Sequence, residues 1–535
     1  GGLLSVTYPT GGCTNIQYEG NTVGRRRTSI TDAATCTPYE VGGVRVNKIT
    51  NTSSDGMSDS IRYIYASSKT GSTSGILGQM PRYAVSTNID YNSSLNSSFH
   101  ANLTAINYSP KWSAFPTRDS HICYTDVIEE YSDGSWCLNE FTNVIDGNHD
   151  IFDHNEITVE RKVFTEYDNL NAGNNTMLSY PPSIDRRNMR GLLRRSTFYD
   201  SNGSILRRTV NNYSEDLVTI PKIYFSSASG YVRMSFTVGS PYITSVSETV
   251  YNSGMSHTRT ETLTYNSRGQ VSCRTVSSGD ASGVDKTYNR YLHESSSSTA
   301  LRSAITDIVK TRTVNGIERI TSKMEFDYSS DNINPICIRQ YLIPEPEAVT
   351  SSSVFNIDVG PDTRVIQMTY DSRHRLIQAS FPGNAYAAYE WSGNNPISKT
   401  VNGTDGKTLY EWKDMVGLTR VTEPSGQSIR YSYDSRNRPE YILDTRGKAV
   451  ERYRYFFVND LQSTSTSGIG NGNYISVDTY TDDSGSNFYR DVTYYNGLGY
   501  EDQAVSQNWV ASGKNLVTPI VYDVMRHADA TAYLP

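Results

Sequence analysis

Histidine and cysteine are both sparse in this chain of 535 residues, at 8 and 6. The cysteines stand at 13, 36, 123, 137, 273 and 337, and no two have the close spacing of a zinc ribbon or a redox pair. An even number leaves disulfides open, Cys13–Cys36 and Cys123–Cys137 being the pairings available. Free thiols on strands are the favoured state, with Cys273 and Cys337 as ordinary strand residues. A basic excess is also missing: 49 Lys and Arg against 56 Asp and Glu give a net charge of −7, which argues against a nucleic-acid surface. No apolar run is long enough to span a membrane as a helix, and no long amphipathic helix stands out. Phenylalanine is outnumbered by tyrosine, 14 to 40. A dry core favours Phe; Tyr suits a sheet with half-wet faces, where the ring packs and the hydroxyl finds a partner. The opening Gly1-Gly2-Leu3-Leu4 carries neither an initiator Met nor a basic leader, and the expectation is a piece of a longer polypeptide.

What is present is a repeated turn. Tyr199-Asp200-Ser201-Asn202-Gly203, Tyr265-Asn266-Ser267-Arg268-Gly269, Tyr370-Asp371-Ser372-Arg373-His374 and Tyr433-Asp434-Ser435-Arg436-Asn437 each end one alternating run and lead into another. In each, an Asp or Asn can fold its side chain back onto following amides, and a later residue takes positive φ. Gly does this easily, Asn tolerates it, and His does so less comfortably. The expectation is that Asp200, Asp371 and Asp434 each open a tight turn between antiparallel strands, with the carboxylate accepting amides one to three residues on. Alternation places Tyr431, Tyr433, Tyr453 and Tyr455 on one sheet face. Internal repeats of this kind predict an all-β chain of stacked antiparallel hairpins.

These turns resemble the YD-repeat (Rhs) family of bacteria. The best run is 364–457, where Tyr370, Tyr389, Tyr410, Tyr433 and Tyr453 follow one another at 19, 21, 23 and 20 residues. Phe381-Pro382-Gly383, Glu423-Pro424-Ser425-Gly426 and Asp444-Thr445-Arg446-Gly447 are similar to the family's second turn. Near the start, Tyr8-Pro9-Thr10-Gly11-Gly12 followed by Tyr18-Glu19 resembles the opening of large surface-type members. Near the end, Tyr494-Tyr495-Asn496-Gly497-Leu498-Gly499-Tyr500 resembles another of their modules, with Tyr500 where Arg is usual. The resemblance implies an extended sheet that curls into a spiral or shell wall. It also implies a secreted or bacterial cell-surface location, and a C-terminal toxin or effector enclosed or presented by the wall. The acidic self-cleavage motif of Rhs-type toxins is absent from this sequence.

The chain divides into an N-terminal hairpin region over 1–160 with a polar insertion at 67–120, degenerate YD-like strands over 161–345, tandem repeats over 346–460, and a linker with a C-terminal YD-like module over 461–535. Residues 301–310 read as a strand or a short helix, and 238–241 as a turn at a strand end.

Candidate sites are few. The segment 146–156 gathers Asp146, His149, Asp150, Asp153, His154 and Glu156, but Ile151 stands where a calcium loop needs Gly, and two histidines five apart do not share a helical face. Gly239-Ser240 lacks the elbow of a serine hydrolase. Glu129, Glu130 and Asp133 read as strand-edge charges, and the pairs Arg186-Arg187, Arg194-Arg195 and Arg207-Arg208, with Arg25-Arg26-Arg27, as strand positions balanced by acids. Trp391 and Trp412 each follow a Tyr-Glu pair and occupy equivalent repeat positions, where packing between repeats is expected. The sequence therefore assigns no catalytic, cofactor-binding or metal-binding residue, and the reading is a non-enzymatic structural wall. Its partner is the remainder of the same polypeptide or an encapsulated C-terminal effector. The alternative is an adhesion module that binds a cell-surface glycan or protein through its aromatic faces.

Overall fold

The computed structural model describes residues 2–27, 33–53, 56–77, 84–92, 98–106, 122–143, 145–146, 158–162, 184–227, 230–279, 283–295, 303–331, 333–343, 345–349, 354–357, 359–360, 362–402, 406–459, 472–509, 513–522 and 528–530. Among these, nearly every element is a strand, and 33 strands join one sheet.

The sheet is a meander. From Leu193–Tyr199 to Leu516–Tyr522 each strand pairs antiparallel with the next in sequence. The N-terminal strands extend the same ribbon: Ser58–Ile64 pairs with Asp126–Tyr131, and Trp136–Phe141 pairs with Leu193–Tyr199. At those two points the chain leaves the ribbon and returns. Each excursion lays a short strand parallel to a long one, Gly75–Leu77 along Cys13–Arg27 and Ile184–Asp185 along Gly230–Asn252. The strands Ala84–Asn92 and Ser98–Ile106 form a separate two-stranded sheet, so the polar insertion contains a hairpin.

Two expectations about elements change, and one open alternative, at 301–310, resolves as strand from residue 305 on. Strands Ile205–Ser227 and Gly230–Asn252 run as one hairpin of 23 residues a side, bringing Ser240 opposite Asp216 inside the ladder, so 238–241 is not a turn. Residues 305–314 are strand. Residues 345–349 and 354–357 belong to no repeat. They form a strap over the preceding hairpin, tied by Ile320 N to Glu347 O at 2.8 Å and Val349 N to Glu318 O at 2.9 Å. Val354 and Val359 then close over Val309 and Ile320.

Among the described residues no single core organises the fold. Buried hydrophobic residues fall into small separate clusters: Val23, Leu77 and Ile122; Val309, Ile320, Val354 and Val359; Tyr474 and Val492. The accessible surface is 31707 Å². A compact monomer of this mass would expose about 19,000 Å². A sheet wetted on both faces contributes to that excess and suits the preference for Tyr over Phe.

Strand direction alternates along the ribbon and sorts its turns onto two rims. Turns 8–12, 53–57, 132–135 and 200–203 fall on the upper rim, and turns 266–269, 371–375, 434–438 and 496–499 on the lower.

Candidate functional site

The lower rim carries the repeated chemistry. At 434–438 the backbone closes through Asp434 N to Arg438 O at 2.9 Å and Asn437 N to Asp434 O at 3.0 Å. Asp434 Oδ1 accepts from the amides of Arg436 and Arg438 at 2.8 and 2.9 Å. Asp371 does the same for Arg373 and Arg375 at 2.8 and 3.0 Å, and Asp200, on the upper rim, for Asn202 and Ser204 at 2.9 and 2.8 Å. Each Asp thus opens a tight turn as expected, with the amides lying two and four residues on. Asn266 and Asn496 reproduce the pattern without charge. The fourth turn residue sits at positive φ, 62° at His374 and 60° at Asn437.

The last turn residue adds an ion pair. Arg375 and Arg438 fold back onto their own Asp, the Nε–Oδ2 distance being 2.7 Å in both. The Arg375 side chain, with the amides, holds the Asp371 carboxyl down at about 2. For Asp434, burial works against ionisation, but the bonds from Arg438 prevail and the carboxyl stays below its usual range.

Before each of these turns stands an aromatic residue at a β-bulge. The register shifts between Thr264 and Tyr265, Thr369 and Tyr370, Glu390 and Trp391, Glu411 and Trp412, and Ser432 and Tyr433. The bulge turns the ring toward the preceding hairpin, and its polar hydrogen reaches that hairpin's backbone. Tyr433 Oη donates to Leu418 O at 2.6 Å, Trp412 Nε1 to Pro396 O at 2.7 Å, Trp391 Nε1 to Leu376 O at 2.8 Å, and Tyr265 Oη to Ile243 O at 2.6 Å. Tyr291, Tyr328, Tyr213 and Tyr65 donate likewise to Val271, Ile305, Leu193 and Val46. Successive hairpins are covalently joined at the upper rim and free at the lower, so these bonds clamp the side where the ladder would splay. Tyr370 differs, donating to Met368 Sδ at 3.4 Å.

The repeat therefore has a regular step. Positions 370, 391, 412 and 433 follow at 21 residues, filled by Tyr, Trp, Trp and Tyr. Tyr389 and Tyr410 lie two residues earlier, which is why a series of tyrosines alone looks uneven. Trp391 and Trp412 do tie neighbouring repeats together, as their equivalent positions suggested. Tyr431, Tyr433, Tyr453 and Tyr455 share one face: Tyr431 opposes Ile442, which opposes Glu451, and Tyr453 and Tyr455 follow at alternate positions.

A second constellation joins residues more than 400 positions apart. Gly12 N donates to Gly497 O at 2.9 Å, and Thr10 Oγ1 donates to the same carbonyl. Gly497 N donates to Ser53 Oγ at 2.8 Å. Asn459 N reaches Pro9 O at 2.9 Å and Asn473 Nδ2 reaches Thr10 O at 2.6 Å. A Cβ on Gly12 would stand 2.3 Å from Gly497 O, so only glycine permits this approach. The contacts link upper-rim turns of the first strands to lower-rim turns of the last. That is the geometry of a spiral whose second coil rests on its first; a closed barrel would pair strand edges instead.

The remaining sequence candidates are accounted for as follows. Asp146 accepts from Asn143 Nδ2 at 2.9 Å, and 147–156 lie outside the described residues. Among the described residues no three His, Cys, Asp or Glu gather as a metal site. All six cysteines are free thiols. Glu129 accepts from Tyr131 Oη at 3.0 Å, Glu130 pairs with Lys69 at 2.8 Å, and Asp133 caps Ser135 at 2.9 Å. Arg186 pairs with Glu215 at 2.6 Å, Arg194 lies 3.6 Å from Glu140, and Arg195 pairs with Glu140. Trp136 stacks on Tyr199 at 3.8 Å.

The family model described as RHS Repeat matches residues 414–449, the segment holding Tyr433, its turn and the clamp onto Leu418. No curated protein matches the chain. Among solved structures, TcdB2-TccC3 without its hypervariable C-terminal region superposes over 98% of this chain with a TM-score of 0.54 at 9% identity. TcdB2-TccC3-TEV does so over 98% with a TM-score of 0.54 at 8% identity. The chain spans 33% of the length of each, and the likeness is one of fold.

Proposed function

We infer that this chain, an Rhs-type YD-repeat protein with a shell-like structural role, is one coil of a wall that encloses or presents a C-terminal effector belonging to the same polypeptide. The observation that carries this reading is the contact of Thr10 and Gly12 with Gly497. About 24 strand spacings of ~4.8 Å separate the two sides of that contact, a circumference of roughly 115 Å and, for a round coil, a diameter of about 37 Å. Side chains lining a sheet take up about 5 Å on each side, leaving a lumen of roughly 27 Å, wide enough for polypeptide cargo.

The wall performs no chemistry in this reading. Many of its charged groups are tied to one another across strands, as Asp478 is to Arg454 and Arg490, and most of its bulge aromatics donate to backbone carbonyls. In the domain division, 1–160 supplies one side of the seam, 461–535 with Asn459 the other, and 161–345 together with 346–460 form the wall between them. No helix among the described residues is long and apolar enough to cross a membrane. Secretion follows from the effector role and belongs to the same proposal.

The test is protease protection of the full-length parent polypeptide. The segment following residue 535 should resist digestion while the wall is intact and become sensitive in Gly12→Val, whose side chain cannot fit against Gly497. Equal digestion in both, with circular dichroism confirming that the variant folds, refutes enclosure.

A further inference from the structure

We propose that the sheet face carrying Arg420, Arg430 and Arg452 is a binding site for an extended acidic polypeptide segment. Register places these residues on one face. Arg420 is directly opposite Arg430, Ser432 is opposite Tyr441, and Tyr441 is opposite Arg452. Two arginines facing each other across a ladder repel, which an unliganded sheet has no reason to keep. The nearby acids do not relieve them. Glu411 reaches only Arg420, at 3.3 Å. Asp478 stands opposite Arg452, but its oxygens are taken by Arg454 and Arg490, each at 2.5 Å. Arg430 is exposed and has no ion pair among the described residues. Arg452 has the Tyr441 ring, 4.9 Å from its guanidinium carbon.

The same face holds unused donors. Arg420 Nε, Arg452 Nε, Ser428 Oγ and Ser432 Oγ are buried without a hydrogen-bond partner. Ser428 and Ser432 lie two residues either side of Arg430 and therefore point the same way. Buried donors of this kind are costly unless something completes them.

The spacing selects the ligand. The opposed pair Arg420 and Arg430 can fork one carboxylate. Ser432 lies one row further along its strand, about 6.6–6.8 Å from Arg430, which is the distance between alternate side chains of an extended peptide. Arg452 lies in that same row two strands over, roughly 12 Å from Arg430 and within the span of four extended residues. A single small anion would meet only the first row. The inference concerns this face alone and stands apart from enclosure of cargo.

The experiment measures fluorescence anisotropy of a labelled deca-glutamate peptide on the purified chain at 50 and 150 mM salt. The competitors are inorganic phosphate and an oligothymidylate of equal charge. Wild type should bind the peptide, more weakly at higher salt, with phosphate competing poorly. Arg420→Gln/Arg430→Gln should weaken binding at least tenfold, as should Arg452→Gln on its own, while Arg373→Gln on the rim turn leaves it unchanged. Without ligand, Arg430→Gln should raise the melting temperature, because it removes the repulsion. The proposal is overturned if wild type does not bind at 50 mM salt, if the double variant and Arg452→Gln bind like wild type, if Arg430→Gln melts lower, or if the oligonucleotide binds more tightly than the peptide.

Discussion

Removing one oxygen atom from Tyr433 tests the clamp. The Tyr433 hydroxyl donates to Leu418 O at 2.6 Å, on the preceding strand and beyond the last ladder pair there, Arg420 with Arg430. Tyr433→Phe keeps the half-buried ring and loses this bond, a cost of about 1 kcal/mol. Tyr433→Ala also loses the packing of the ring, for about 2–4 kcal/mol in all. Gly417 lies beneath the hydroxyl. A Cβ there would stand 3.2 Å from Tyr433 Oη, on a backbone with φ of 141°. Gly417→Ala should therefore cost about 1–3 kcal/mol in wild type from the strained backbone, and more there than in a Tyr433→Ala background, where the contact is gone. A repeat ribbon opens locally, so the assay is native-state hydrogen exchange of peptides covering 417–433. One kilocalorie corresponds to about fivefold faster exchange, so Tyr433→Phe should accelerate these amides about fivefold and Tyr433→Ala at least about thirtyfold. If Tyr433→Phe exchanges like wild type while Tyr433→Ala is fast, the ring alone matters and the clamp is not a hydrogen bond. If neither changes, the residue decorates the surface.

The Asp371 turn should respond to acid. Its carboxyl titrates at about 2 in the folded chain, below its value of 3.8 when free. Its contribution is therefore complete above pH ~4 and is lost as the pH falls through ~2. Exchange of the Arg373 and Arg375 amides should accelerate over that interval in wild type and stay flat in Asp371→Asn, which keeps the acceptor oxygen as Asn266 does; a flat wild-type profile would contradict this. Asp478 is fully buried between Arg454 and Arg490. Asp478→Ala leaves two arginines without their carboxylate and should cost about 3–5 kcal/mol in thermal unfolding, and a loss below about 1 kcal/mol would show that solvent reaches the pair.

The rim turns were legible in the sequence because their causes are local. Asp434 and Asn437 close a turn with groups no more than four residues apart, and no other part of the chain need be known. The sheet class was legible for the same reason, through alternation at 429–433 and 451–457. The clamp was only half visible. Tryptophan does the work of tyrosine at 391 and 412, since an indole N–H and a phenol O–H are equivalent donors toward a carbonyl. Counting tyrosines therefore gave an uneven step where the structure has an even one. The strap at 345–349 and 354–357 has neither alternation nor a turn signature, and its place over Val309 and Ile320 rests on burial and on backbone bonds to a distant strand. The long hairpin from 205 to 252 was hidden by polar residues, which a strand wetted on both faces accepts. The seam was out of reach: Gly12 and Gly497 carry ordinary turn signals, and nothing nearby in sequence relates them.

That seam is the central claim, and imaging single particles of the isolated chain tests it most directly. The account predicts a coil about 37 Å across with an empty centre, its first and last hairpins in contact, the diameter following from about 24 strands at ~4.8 Å. Particles seen as an open arc or a flat ribbon, or as a filled globule with no lumen, would contradict it.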